Sequence, residues 1–223
     1  MAPTLSTQEF LERRRYMVDG QLRVGDVTDS ALLAAFLEAP REAFVAAANA
    51  PFAYTDSDQP SLGSKSRRLL PPLTLARLLQ SAKVASGDRV LDIAGGAGYG
   101  AALLDRLGAR VVALESDAGA AEAAKSALAA HPGVEIVVGD LGAGAPSKGP
   151  FDVIVINGAF DALPDALIAQ LAEGGRLVGI ETQGRAQEAI LMERTSSGVS
   201  RRVLFETRAA AIEAFRLAPS FAF

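Results

Sequence analysis

A short apolar segment followed at once by a glycine turn is the feature that most restricts the fold. Residues 89–93 have the length of a buried strand, the glycines of 95–98 follow directly, and residues 99–107 carry apolar side chains at helical spacing. Glycines let the backbone turn tightly and approach a ligand closely, and a helix that begins there presents free N–H groups. This order of elements is typical of a nucleotide-binding α/β fold.

Acidic residues end the predicted strands of the same region. The apolar run 110–114 ends at Glu115, and the run 134–138 is followed by Gly139 and Asp140. Glu115 follows Asp92 by about 20 positions, the interval typical of an acid that accepts hydrogen bonds from ribose hydroxyls. Because the carboxyl ends of parallel strands share one edge of a sheet, these acids are expected at the ligand-binding edge.

The region from residue 73 onward alternates between helical and strand patterns. An amphipathic helix over 73–84 precedes the glycine-turn strand, and a helix over 163–171 separates strands over 151–156 and 175–180. This alternation predicts a doubly wound, mostly parallel sheet with helices on both faces. Two further runs, 189–194 and 201–205, surround a polar turn segment and predict an antiparallel C-terminal hairpin. Residues 215–223 are expected to form a tail docked by aromatic side chains.

Residues 1–72 are predicted to form a helical extension followed by a substrate-side loop. Ser6 or Thr7 caps a first helix, a second is expected over 31–37, and Pro40 opens a short third over 41–45. Residues 49–72 show no period, and long loops in compact proteins are often functional. We treat this extension and the α/β part 73–223 as one compact unit.

Composition and charge exclude several classes of protein. The chain has 223 residues, a formal net charge of −4, no cysteine and one histidine. This excludes disulfides, a thiol nucleophile, a cysteine-based zinc site and a histidine-rich metal centre, and it disfavours nucleic acid as a partner. Charged residues over 9–15 interrupt any signal peptide, and no run approaches the roughly 18 apolar residues of a membrane span. The expected compartment is therefore the cytoplasm.

Two cofactor classes fit the glycine turn, since residues 96–101 also satisfy the dinucleotide pattern G-x-G-x-x-G/A. Asp92 precedes the turn, where a carboxylate can face the ammonium group of S-adenosylmethionine. Hydride transfer usually needs a general base, and the single histidine, His131, is expected at the opposite edge of the sheet. Methyl transfer to a carboxylate needs no base, because that group is ionised at pH 7. These observations favour S-adenosylmethionine.

Five segments add a more specific signal. They are Met17–Leu22, Ala39–Val45, Ala53–Asp56, Leu91–Ala102 and Gln170–Val178. In them the sequence resembles the protein-L-isoaspartate O-methyltransferase family, which implies a Rossmann-like class I methyltransferase fold, S-adenosylmethionine as cofactor and an isoaspartyl carboxylate of a protein or peptide as acceptor. The resemblance assigns Gly96 and Gly98 to the methionine end of the cofactor, Glu115 to the ribose, and Asp140 and Leu141 to the adenine.

The substrate side departs from the family pattern. Ala94 stands where the first turn glycine is usual, although it and Asn157 stay in the predicted cofactor set. The family has a Thr-Ile-Ser-like segment beside the reacting carboxylate, where this chain has Arg68 and Leu70 in place of the threonine and the serine. Arg67, Arg68 and Leu70 are the predicted substrate-side residues, with an arginine able to hold the acceptor carboxylate.

Three alternative functions remain open at this point. The chain could be a cofactor-binding homologue without repair activity, with a regulatory or interaction role, or a methyltransferase of another acceptor. A nicotinamide-dependent oxidoreductase is the third. Titration with S-adenosylhomocysteine and with NAD distinguishes the cofactor classes, and an isoaspartyl peptide tests the acceptor.

Overall fold

The computed structural model describes residues 5–217. Its α-helices are α1 (Thr7–Met17), α2 (Ser30–Glu38), α3 (Pro72–Ala82), α4 (Tyr99–Arg106), α5 (Ala118–Ala127) and α6 (Asp165–Ala169). Its strands are β1 (Gln59–Pro60), β2 (Arg68–Leu69), β3 (Arg89–Ile93), β4 (Arg110–Glu115), β5 (Val134–Val138), β6 (Phe151–Phe160), β7 (Leu171–Gln183), β8 (Ala186–Thr195) and β9 (Gly198–Glu206). Among the described helices, none combines the length and the apolar character required to cross a bilayer.

The main sheet has seven strands in the order β5-β4-β3-β6-β7-β8-β9. The strands from β3 to β7 pair in parallel, whereas β8 pairs antiparallel with both β7 and β9. The reversal of strand order between β4 and β6 places β3 at the switch point, where ligands of such sheets bind. The prediction of a doubly wound, mostly parallel sheet with an antiparallel C-terminal hairpin is confirmed.

Alternate strand residues enter two separate hydrophobic cores. Val90 packs into a core with helices from the N-terminal extension, and its neighbour Leu91 packs into the core on the opposite face. The cover of the second face includes α6 and the one-turn helix Glu213–Phe215. The side chains of β3 therefore alternate between the two cores, because successive side chains of a strand point to opposite faces of its sheet.

The helix predicted over 163–171 is shorter in the structure. Helix α6 ends at Ala169, and β7 already begins at Leu171. The Phe151 N–H donates to the carbonyl of Gln170 at 2.8 Å, which draws the chain into the sheet. The Gln170 side chain is engaged as well, since its amide donates to the carbonyl of Ala143 at 3.0 Å. Pairing with β6 therefore overrides the helical spacing of the apolar residues.

The N-terminal helices begin where their caps predict. The Glu9 N–H donates to Ser6 Oγ and the Glu9 carboxylate accepts from the Ser6 N–H, which forms a capping box at the start of α1. Helix α1 continues into one π-helical turn, Val18–Leu22. The Asp29 side chain caps α2, and the third predicted helix is a single 3₁₀ turn, Arg41–Ala43.

The segment predicted as an irregular loop over 49–72 contains local order. The 3₁₀ helix Ala47–Phe52 extends into its start, and β1 pairs antiparallel with β2. The chain between these two short strands, residues 61–67, turns back onto the glycine turn and is called the 61–67 loop below. The predicted aromatic tail over 215–223 lies mostly outside the described residues, although Phe215 is buried in the second core.

A buried arginine joins the extension to the rest of the protein. Arg41 is fully buried, and its guanidinium donates to the carbonyls of Ala53 and Leu70, each at 2.7 Å. It also lies over the ring of Tyr99, 4.8 Å from the centroid, at the start of α4. The ring of Tyr99 contacts those of Phe36 and Phe44 as well. The extension and the sheet therefore share one core.

Candidate cofactor and acceptor site

Asp92 is a buried carboxylate near the carboxyl end of β3. Its Oδ1 accepts a hydrogen bond from Asn157 Nδ2 at 2.7 Å, whereas its Oδ2 has no partner among the described residues. Burial raises the pKa of Asp92 to about 6, with a smaller contribution from nearby Glu115 and against the lowering effect of the Asn157 hydrogen bond. A buried carboxylate oxygen without a partner is costly in the free protein and suits a cationic ligand group.

A bulge in β6 brings Asn157 to Asp92. The pairing of β6 with β7 shifts register between Val155 and Ala159, and the Asn157 amide also donates to the carbonyl of Ile93 at 3.0 Å. The predicted cofactor residue Asn157 is therefore seen to orient Asp92. Its direct contact with a cofactor stays a prediction.

Gly95 keeps the space beside the unpartnered oxygen open. A Cβ atom at this position would lie 2.5 Å from Asp92 Oδ2, and one at Gly100 would lie 3.3 Å from Asp92 Oδ1. Side chains at either position would crowd the carboxylate. Gly95 lies in the turn that the sequence predicts, although it is not among the predicted site residues.

The other turn glycines leave room for side chains of the protein itself. Gly96 and Gly98 have φ angles of +63° and +92°, and added Cβ atoms would lie 2.4 Å from Ser61 Oγ and 2.5 Å from a methyl carbon of Leu128. Ser61 Oγ also accepts the N–H of the intervening residue, Ala97, at 2.9 Å. In this structure, Ser61 of the 61–67 loop and Leu128 after α5 therefore lie against the two glycines to which the resemblance assigns the cofactor.

Ala94 adopts a backbone conformation that favours glycine. Its φ angle is +58°, in the left-handed region that costs an L-residue with a Cβ about 1–2 kcal/mol. The Ala94 N–H donates to the carbonyl of Leu114 at 3.0 Å, which fixes the turn against β4. The departure from glycine noted in the sequence is therefore tolerated as local strain.

Glu115 receives hydrogen bonds from its own chain. The N–H groups of Gly96, Ser116 and Asp117 donate to its carboxylate at 2.7–3.1 Å. Arg67 Nε donates to both oxygens, at 2.9 and 3.1 Å, and Arg67 Nη2 reaches Ser116 Oγ at 2.9 Å. The Arg67 guanidinium therefore covers the predicted ribose acid, while the residue also lines a narrow cavity with Leu70. Its place on the substrate side stays a prediction.

The rest of the 61–67 loop is fastened to the start of α5. Ser64 Oγ donates to Asp117 Oδ2 at 2.6 Å, and Asp117 Oδ1 caps the helix by accepting the Ala120 N–H. The Ser64 hydrogen bond is the main cause that lowers the pKa of Asp117. The backbones of Gly63 and Gly119 meet so closely that a Cβ at Gly63 would lie 2.4 Å from the Gly119 carbonyl oxygen. The loop therefore covers the carboxyl end of β4.

The other substrate-side residues are also engaged. Arg68 forms an ion pair with Asp58 at the surface, so its guanidinium is not free to hold an acceptor carboxylate as predicted. Leu70 is 4% exposed and packs in the core. Both residues line a narrow cavity that reaches Asn157. Leu70 thus forms an apolar wall of this cavity, and its place beside the cofactor's methyl group stays a prediction.

Asp140 and His131 mark the two edges of the sheet. Asp140 follows β5 at the carboxyl edge, where its Oδ1 accepts the Gly142 N–H at 2.9 Å, and the side chain of Leu141 is buried in the second core. His131 precedes β5, and its Nδ1 lies 2.8 Å from Asp105 Oδ2. His131 is therefore a buried structural residue at the edge opposite Asp92.

Comparison with known proteins identifies the family. The sequence pattern of the protein-L-isoaspartate(D-aspartate) O-methyltransferases matches residues 12–209. The chain belongs to this family. Among similar proteins, a protein-L-isoaspartate O-methyltransferase of Methylorubrum populi is 42% identical over 74% of this chain and 77% of its own length. One from Koribacter versatilis is 36% identical over 89% of each chain.

Solved structures show the same fold. A protein-L-isoaspartate O-methyltransferase aligns with 91% of this chain and 67% of its own chain, with a TM-score of 0.80 and 28% identity. A putative member from Plasmodium falciparum, in complex with S-adenosyl-L-homocysteine, covers 95% of this chain and 100% of its own, with a TM-score of 0.73 and 18% identity. The second likeness concerns the fold alone.

Proposed function

We propose that the chain transfers the methyl group of S-adenosylmethionine to the carboxylate of an L-isoaspartyl residue in a protein or peptide. Family membership supports this reaction and its cofactor. In the structure, the unpartnered Oδ2 of buried Asp92 is the observation that carries the assignment, because it matches the ammonium group of the cofactor's methionine end. Gly95 supports the fit, since it places no side chain of its own beside that oxygen.

The cofactor supplies an electrophilic methyl group on a sulfonium centre. In the proposed function, Asp92 binds the ammonium group and Asn157 orients Asp92. The Glu115 carboxylate accepts hydrogen bonds from the ribose hydroxyls once the Arg67 side chain has moved away from it. Asp140 lies beside the adenine. An acceptor carboxylate is already ionised at pH 7, so the protein's task is to hold the reacting groups in line. The apolar wall at Leu70 excludes water from the narrow cavity.

The residues on the acceptor side lead us to expect slow methyl transfer to isoaspartyl peptides. Leu70 offers no hydroxyl where the family pattern has serine, and the nearby arginines are paired with acids. Loss of a positioned hydrogen-bond donor commonly lowers a rate by about 10²–10³. We therefore expect intact cofactor binding beside weak turnover, and a higher rate in the variant Leu70→Ser.

The test measures S-adenosylhomocysteine release with an isoaspartyl peptide and with the same peptide containing ordinary aspartate. Leu70→Ala is the matched control, because it removes the same bulk without adding a hydroxyl. Both variants are expected to lose stability, since truncation of a buried leucine to alanine costs roughly 2–5 kcal/mol, so unfolding is monitored in parallel. Rate gain in Leu70→Ser but not in Leu70→Ala supports the proposal.

Other outcomes identify the alternatives. Rapid turnover by the unchanged protein means that the serine hydroxyl is dispensable or replaced by another group. Cofactor binding without transfer by the protein or by Leu70→Ser favours a homologue without repair activity, for which the closed Arg67–Glu115 contact is the supporting observation. The cytoplasm stays the predicted compartment.

A further inference from the structure

A second, wider cavity lies next to the narrow cavity. Its volume is about 630 Å³, within the roughly 300–1,000 Å³ typical of ligand sites. Its walls come from the segment around Asp58, from Pro71 before α3, from Arg185 in the turn between β7 and β8, and from Arg208 and Ala210 after β9. We call it the outer cavity.

The outer cavity carries unbalanced positive charge. Arg185 and Arg208 are both exposed, and neither is part of an ion pair with any residue of 5–217. The one acidic residue in the cavity wall, Asp58, is neutralised by Arg68. Glu206 lines an adjoining hollow together with both arginines but does not line the outer cavity. The outer cavity is therefore locally positive, although the chain has a net charge of −4.

The outer cavity adjoins the place where methyl transfer is proposed to occur. Asp58 and Ala210 line both cavities. The narrow cavity reaches Asn157, whose amide holds Asp92 at 2.7 Å. The two cavities therefore share a wall, so an acceptor with its reacting carboxylate at the narrow cavity would place its flanking residues at the outer cavity.

On the basis of the proposed function, we propose that the outer cavity binds the residues flanking the acceptor and that Arg185 and Arg208 select peptides with acidic flanking side chains. A guanidinium presents a fork of donors that matches a carboxylate, and complementary charge raises the encounter rate and favours the correct partner. The two arginines come from different loops and line the same cavity.

The experiment uses two isoaspartyl peptides that differ only in their flanking residues, glutamate in one and lysine in the other. Turnover gives KM and kcat, and fluorescence anisotropy of the labelled peptides in the presence of S-adenosylhomocysteine gives binding without turnover. We expect the acidic peptide to have a KM and Kd about threefold to tenfold lower. This difference should shrink at high salt, with kcat little changed.

Charge-reversal variants locate the preference. Arg185→Glu and Arg208→Glu are each expected to abolish or reverse it, whereas Arg202→Glu on β9 makes the same change in net charge outside the outer cavity and should preserve it. Equal binding of the two peptides by the unchanged protein overturns the proposal, as does an equal effect of all three variants. Absence of methyl transfer to either peptide, with an arginine-dependent preference in binding, refutes the proposed function and leaves the cavity assignment standing.

Discussion

Replacing Asp92 with asparagine is expected to raise the stability of the protein and to weaken its cofactor binding. The amide oxygen of Asp92→Asn keeps an acceptor for the Asn157 side chain and removes the buried charge. In the folded protein the pKa of Asp92 is raised to about 6 by burial, from an ordinary value of 3.8. The folded state therefore binds the proton more tightly than the unfolded state, and the stability of the native protein falls as the pH rises from about 4 to 6.

The size of this effect follows from the two pKa values. A pKa of about 6 in place of 3.8 corresponds to a cost of roughly 3 kcal/mol for the ionised carboxylate above pH 6. Removing it should raise the melting temperature at pH 8 by about 6–12 °C for a chain of this length. Near pH 4 the variant and the unchanged protein should be equally stable, because the carboxyl group is then protonated in the folded state.

Thermal unfolding at pH 4 and pH 8 and calorimetric titration with S-adenosylhomocysteine form the assay. The variant should bind roughly tenfold to a hundredfold more weakly, since a hydrogen bond to a charged group contributes about 1.5–3 kcal/mol. Asp19→Asn, which removes an exposed carboxylate, is the control for the loss of one charge. A stability gain that is absent at pH 8, or equal at both pH values, would refute the reasoning about burial. Unchanged affinity would refute the ammonium assignment.

Two further substitutions test the glycine turn and the 61–67 loop. Arg67→Ala removes the guanidinium from both oxygens of Glu115 and should tighten S-adenosylhomocysteine binding by about fivefold, because one partly buried ion pair no longer competes with the ribose. Weaker binding in calorimetry would make Arg67 a cofactor contact instead. Ala94→Gly should relieve the left-handed backbone at φ +58° and stabilise the protein by up to about 1 kcal/mol. An unchanged or lower denaturant midpoint would show that the turn is not strained.

Local patterns were sufficient to predict the sheet and the acids at the carboxyl ends of its strands. The glycine turn, the acid at the end of β4 and the alternation of elements placed Asp92, Glu115 and Asp140 on one side of the sheet. This followed because strand direction and side-chain alternation depend on short stretches of sequence. The position of His131 at the opposite edge followed for the same reason, although its Asp105 partner did not.

Contacts between residues far apart in the chain explain the features of the site and the fold that the sequence did not predict. Arg67 and Glu115 are separated by 48 positions, and no pattern within the irregular 49–72 segment indicates which acid the arginine meets. Ser61 at the glycine turn was missed for the same reason. The helix predicted over 163–171 was too long because pairing with β6 competes with helical spacing, and tertiary pairing commonly overrides local propensity.

The buried Arg41 links the N-terminal extension to the rest of the fold. Its hydrogen bonds to Ala53 and Leu70 and its position over Tyr99 place one cation at the meeting point of the extension, the acceptor wall and α4. Without the extension, a sheet portion beginning after Leu70 would expose the Tyr99 ring. We therefore do not expect the cofactor-binding part to fold without the extension. A fusion of this part to another N-terminal segment would have to include the whole surrounding aromatic cluster.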